Sequence, residues 1–231
     1  MQKVDITGVT SAIVEHLRID IVEGLLSPGQ KLNETDIASH LGTSRAPLRE
    51  AFRILEGEGL VTNIPRKGCC VQEISLKACR DIFQMREMME CYAVDLIKDK
   101  KITDFRKIEY AIHGHIISKA PVGSDPYQKY EYLKMIANFH IQLIESAENE
   151  LLCQFYKKSF SALTRYQYMY TYNDDLMKES KTAHEFILDL LKAGKYEQAK
   201  KEIRSHIQRV VILLLANLKK RLSENATIKI K

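Results

Sequence analysis

The chain has 231 residues, 45% hydrophobic and 28% charged, a globular balance that excludes collagen-like, low-complexity and wholly disordered readings. Its length fits one large domain or two of usual size, about 100 to 200 residues each. The net charge of +5 is unevenly placed: residues 1–75 hold eight basic and ten acidic side chains, so the excess lies in the remainder. A nucleic-acid argument must therefore rest on local placement rather than on bulk charge. The longest apolar run, Val210–Ala216, is far below the roughly 20 residues a membrane span needs. Residues 1–9 lack the apolar core of an export signal, and five cysteines without regular metal spacing read as reduced thiols. The expectation is a cytoplasmic protein with no membrane partner.

In chain order, Ile13, Val14, Leu17, Ile21 and Leu25 recur at helical spacing, and "SPGQKL" ends that helix near Leu26. Asn33 is a fit N-cap for a short helix through His40. Gly42 breaks it, and Thr43 or Ser44 can cap a third helix to about Glu58. Two short helices across a tight glycine turn are the helix-turn-helix signal. The β-prone pieces "LVTNI" and "CCVQEI", separated by "PRKG", read as a two-stranded wing with Gly68 in its turn. From Ser75 onward only helical patterns remain, expected near 75–100, 103–119, 126–147, 149–172, 175–192 and 195–222, with a polar, frayed tail after them. The predicted architecture is mainly α: a winged helix-turn-helix over 1–75, then an all-α helical bundle over 76–231.

The third helix separates into two faces. Leu48, Phe52 and Leu55 face a core, while Arg45, Arg49 and Arg53 are spaced by four on another side. A planar guanidinium can grip guanine O6 and N7 together or hold phosphate. Arg45, nearest the helix N-terminus, is the leading base-edge candidate, since recognition helices enter the major groove by that end. Arg66 and Lys67 at the wing tip suit phosphate or the minor groove. The bland alternative is a solvated face with Arg49 and Arg53 paired to Glu50 or Glu56.

The stretch "LNETDIASHLGTSRAPLREAFRILEGEGLV" followed by "PRKGCCV" closely resembles the N-terminal domain of the GntR family of bacterial transcription regulators. The resemblance implies double-stranded DNA as partner, bound by a homodimer at a palindromic operator. It puts Arg45 and Arg49 on that operator and Gly68 in the wing. Ser44, Arg45, Arg49, Arg53, Arg66, Lys67 and Gly68 are the candidate DNA-binding residues. Thr35 stands where several relatives carry a further DNA-contacting arginine.

In the second domain, helical spacing places His140 with Leu133, Ile136, Leu143 and Ile144. It places His184 with Ile187 and Leu191, and His206 with Ala199, Ile203, Val210 and Leu213. Three imidazoles from three helices thus face inward, and a divalent metal is an economical partner for them. Each could equally be a core histidine bonded to a neighbouring carbonyl or carboxylate. Arg86 and Glu90, one turn apart, share the stripe of Cys79, Ile82, Phe83, Ala93 and Ile97. They form either an internal ion pair or a clamp in which Glu90 holds Arg86 against a ligand carboxylate. His16 and His40 are expected to be exposed, and His113 and His115 are ambiguous. "YQYMYTY" at 166–172 lines a pocket or packs between helices.

The pieces "MREMMECYAVDL", "NFHIQLIESAENELL" and "AHEFILDLLKAGKYEQAKKEIRSHI" resemble the FCD ligand-binding domain of the FadR-type branch of the GntR family. That resemblance implies a metal held by an Asp and three His, matching His140, His184 and His206, with a small carboxylate effector completing the coordination. It also matches Asn149 and Arg86 to the effector pocket, and Glu90 is grouped with them. Ile136 stands where the family has its Asp, so Zn²⁺ or Ni²⁺ should bind more weakly or take another fourth ligand, such as His115 or the effector. An effector pocket without metal, of the fatty-acyl type, is the alternative. A three-His metalloenzyme is the rival from another class, but no general base or nucleophile accompanies the triad. The function expected is an effector-controlled transcription regulator, a repressor rather than an enzyme; a protein that has lost effector response would be its degenerate form.

Overall fold

The computed structural model describes residues 6–117, 126–168 and 174–228. The chain divides into two compact units, one formed by Met1–Ile74 with Lys158–Arg165, the other by Ser75–Lys157 with Tyr166–Lys231.

In the first unit, α1 (Ile6–Glu23), α2 (Glu34–His40) and α3 (Arg45–Gly57) precede an antiparallel pair, β1 (Val61–Ile64) and β2 (Gly68–Val71). One face of α1, with Ile13, Val14, Leu17 and Ile21, meets Leu48, Ala51, Phe52 and Leu55 of α3 in a core closed by Leu60, Val61 and Val71. Leu25 departs from the expectation. The helix ends at Glu23, Gly24 takes a left-handed φ of 82°, and Leu25 is left exposed while Leu26 packs inward. Asn33 caps α2 by accepting the Thr35 N–H at 3.0 Å. Gly42, at φ 62°, makes the turn between α2 and α3, a conformation that disfavours any residue with a Cβ. The wing is shorter than its sequence signal, with Val61 opposite Val71 and Ile64 opposite Gly68. Lys67 N–H donates to Ile64 O, closing a tip in which Arg66 stands at φ 65° and Gly68 at 89°.

The second unit carries α4 (Leu76–Asp99), α5 (Arg106–Ile117), α6 (Pro126–Ser146), the first part of α7 (Glu150–Tyr168), α8 (Asp174–Lys192) and α9 (Tyr196–Ile228). Ser75 caps α4 through the Ala78 N–H. α4 packs on α9 and α6, α5 on α6 and α8, and α8 on α9. Phe83, Ile97, Ile108, Phe139, Leu143, Ile144, Ile187 and Ile203 fill the space between them. Lys100, just past α4, donates from Nζ to the carbonyls of Ala147 and Glu148 at 2.9 and 2.7 Å, gripping the end of α6 and the turn after it. The last helix runs on to Ile228 where a frayed tail was expected: "SENATI" contains neither glycine nor proline to stop it. Residues 120–125 of the 120–126 break and residues 169–172 of the tyrosine run lie outside the described residues. No helix among the described residues is long and apolar enough to cross a membrane.

Candidate functional site

On the first unit, the two faces of α3 are as its spacing requires: Leu48, Phe52 and Leu55 are buried, while Arg45, Arg49 and Arg53 are exposed. Ser44 occupies the N-cap position of α3 without a side-chain capping bond, so its hydroxyl is not spent on the helix. Arg53 pairs with Glu50 at 3.2 Å. Arg49, expected beside Glu50 or Glu56 on the solvated-face reading, instead joins Arg45 on Glu34 of α2. A groove of about 550 Å³ is lined by Glu34, Thr35, Arg45, Arg49, Arg66 and Lys67 among others, so the wing tip and the arginine face share one surface. His16 and His40 are exposed, as expected.

In the second unit, His140 of α6, His184 of α8 and His206 of α9 converge. Nε2 of His184 lies 3.1 Å from Nε2 of His140 and 3.3 Å from Nε2 of His206, and the three candidate ligand atoms lie within 4.8 Å of one another. Two nitrogens bound at about 2.0–2.1 Å to one tetrahedral ion would stand roughly 3.3 Å apart, so the spacing fits a shared cation. Phe139 stacks on the His184 ring, centroids 4.0 Å apart, and fixes its plane.

Glu90 organises the rest. Its Oε2 accepts from His140 Nδ1 at 3.0 Å, which places the His140 proton on Nδ1 and leaves the Nε2 lone pair for a ligand role. Its Oε1 accepts from Arg86 Nε at 2.7 Å and from the Tyr156 hydroxyl at 2.9 Å. Burial opposes ionisation of Glu90, yet His140 and Arg86 outweigh it and hold the carboxyl well below the usual carboxylate range. Burial, with the neighbouring His140 and Arg86, pushes His206 well below the ordinary histidine range, so it stays neutral. Arg86 is 2% exposed and its Nη2 has no hydrogen-bond partner among the described residues. The ion-pair reading of Arg86 and Glu90 is the one the structure shows, with one Arg86 donor left unsatisfied among the described residues.

The remaining candidates separate. Asn149 caps α7 through Leu152 N–H at 3.1 Å. Ile136 is buried one turn before His140, with no carboxylate in its place. His113 is exposed and its ring bonds to Glu109 O, while the side chain of His115 lies outside the described residues. Tyr156 was missed by sequence reasoning, though a tyrosine on the apolar stripe with Leu163 signals a buried hydroxyl needing a partner. All five cysteines are free, and burial raises the thiols of Cys69 to about 12 and of Cys79 to about 11.

Two family descriptions match this arrangement: bacterial regulatory proteins of the gntR family over residues 9–71, and the FCD domain over residues 81–209. The chain belongs to the GntR family and carries its FCD domain. It is accordingly a DNA-binding transcription regulator with an effector-binding domain, and not an enzyme. Among curated relatives, the regulator YdhC of Bacillus subtilis is 28% identical over 195 residues, covering 80% of this chain and 82% of that protein. The transcriptional repressor RspR of Escherichia coli is 29% identical over 163 residues, covering 70% and 69%. A GntR regulator structure from Rhodococcus shares the fold with a TM-score of 0.70 at 21% identity, covering 90% of this chain and 98% of that one. McbR of Escherichia coli does so at 0.68 and 20%, covering 93% and 99%.

Proposed function

We propose that this GntR regulator is a cytoplasmic repressor that binds a palindromic operator as a homodimer, and that a small carboxylate, assisted by a divalent transition metal, controls that binding from the FCD domain. The observation that carries the reading is the convergence of three Nε2 atoms, tied through Glu90 to a buried arginine with an unsatisfied donor. His140, His184 and His206 would hold Zn²⁺ or Ni²⁺, whose positive charge would attract the effector carboxylate. Glu90 fixes the His140 tautomer, Phe139 fixes the His184 plane, and Arg86 supplies a second anion-binding group. Relatives named as repressors, RspR among them, support the direction of regulation.

Functionally the division is residues 1–75 for DNA and 76–231 for effector and dimerisation. Ser44, Arg45, Arg49, Arg53, Arg66, Lys67 and Gly68 form the DNA surface, and Arg86, Glu90 and Asn149 serve the effector side. A ligand bound in the bundle alters DNA binding only by favouring one dimer arrangement over another.

The test is metal analysis of protein purified under native conditions. Wild type should carry close to one equivalent of a divalent transition metal, and the His184→Ala, His206→Ala double variant should carry none. Equal metal content in the two would remove this site from the function and leave a metal-independent effector pocket.

A further inference from the structure

Glu34 was not among the residues singled out by sequence, yet it is the structural centre of the arginine face. Its single oxygen Oε2 accepts from Arg45 Nε at 3.3 Å, Arg45 Nη2 at 3.2 Å and Arg49 Nε at 2.8 Å. Arg45 and Arg49 are like charges one helical turn apart, an arrangement that repels unless a counter-charge lies between them. The carboxylate sits at the first position of α2, where the helix dipole favours negative charge. Burial works against its ionisation, but the bonds from Arg49 and Arg45 hold it below the usual carboxylate range. Both arginines remain 57% exposed while Glu34 is 29% exposed, so the acid lies beneath two outward cations.

The choice of donor atoms has a chemical consequence. Arg49 is held through Nε alone, leaving both terminal nitrogens for a guanine edge or a phosphate, and Arg45 is held through Nε and Nη2, leaving Nη1. The carboxylate thus fixes two flexible side chains by their inner edges and keeps outer edges available. It also places a negative charge in the groove shared with Arg66 and Lys67. DNA that offers only phosphate meets two arginines already partly neutralised. DNA that offers matched base edges meets two arginines already positioned.

We propose that Glu34 is a specificity-determining residue: by bridging Arg45 and Arg49 it raises discrimination between operator and other DNA while lowering affinity for DNA in general. The inference rests on the reading of Arg45 and Arg49 as operator contacts. Replacing the carboxylate should loosen the arginines and free their charge for phosphates, trading base readout for backbone attraction.

The experiment uses the full-length protein and a duplex selected by it from a random-sequence library about three helical turns long, with a scrambled duplex of equal composition as the non-specific probe. Affinities are measured across a salt series for wild type, Glu34→Gln, Glu34→Ala, Arg45→Ala and Arg49→Ala, each checked for native helicity by circular dichroism. For both Glu34 variants the ratio of selected to scrambled affinity is expected to fall roughly tenfold or more, the order of one lost base readout. Binding to the scrambled duplex should tighten, with a salt slope steeper by about one. An unchanged ratio for the Glu34 variants, or equal weakening on both duplexes, overturns the proposal while loss of selectivity in the arginine variants keeps the operator reading. Arginine variants that retain wild-type selectivity overturn that reading and the proposal with it.

Discussion

Two carboxylates in this molecule each hold arginine, and they do so under opposite conditions. Glu34 binds Arg45 and Arg49 at the surface of the winged unit, whereas Glu90 binds Arg86 where the two side chains are 0% and 2% exposed. At the surface, water and salt screen the pair, so it contributes little to stability and is available for use by a partner. In the bundle, desolvation makes the same pairing expensive unless every donor and acceptor is met. Glu90 meets three donors, from Arg86, Tyr156 and His140, while Nη2 of Arg86 has no partner among the described residues. On the proposed function, the exposed cluster would exchange partners on DNA, whereas the buried one would gain one.

The contrast can be broken from its buried side first. Glu90→Ala strands Arg86 in the core and should destabilise the protein by about 3–5 kcal/mol, read as a fall in the denaturation midpoint; a loss below about 1 kcal/mol would mean the cluster is wetter than its burial implies. Ile136→Asp introduces a carboxylate one helical turn before His140. It should lower the stability of the metal-free protein and raise metal affinity on the order of tenfold or more, read by titration with Zn²⁺. Ser75→Ala removes the cap of α4 and should cost about 1 kcal/mol, a reference for an ordinary local hydrogen bond. At the exposed end, Glu34→Ala should change thermal stability by less than about 0.5 kcal/mol. A larger loss would place that ion cluster in the fold's own support.

How much of this was legible follows from the range of each interaction. The helix starts at Asn33 and Ser75 and the turn at Gly42 were, because caps and turn residues act within a few positions. The inward aim of His140, His184 and His206 was, because each stands on its own helix's apolar stripe. The Glu90 bond to His140 spans 50 residues and the one from Tyr156 spans 66, and no periodicity in one helix carries that register. Glu34 lies 11 and 15 residues from its arginines, across the turn, where only the packing of α2 on α3 decides which acid they meet. Leu25 was misread because helical spacing continued past a glycine that ended the helix.

The Lys100 bond to the carbonyls of Ala147 and Glu148 has a mechanical side. Glu148 stands at a left-handed φ of 49°, and Asn149 caps α7 directly after it, so one ammonium clasps the strained turn between two helices. The same lysine closes α4, the helix that carries Arg86 and Glu90. One side chain thus ties the C-terminal end of α4 to the two carbonyls of the turn that joins α6 to α7.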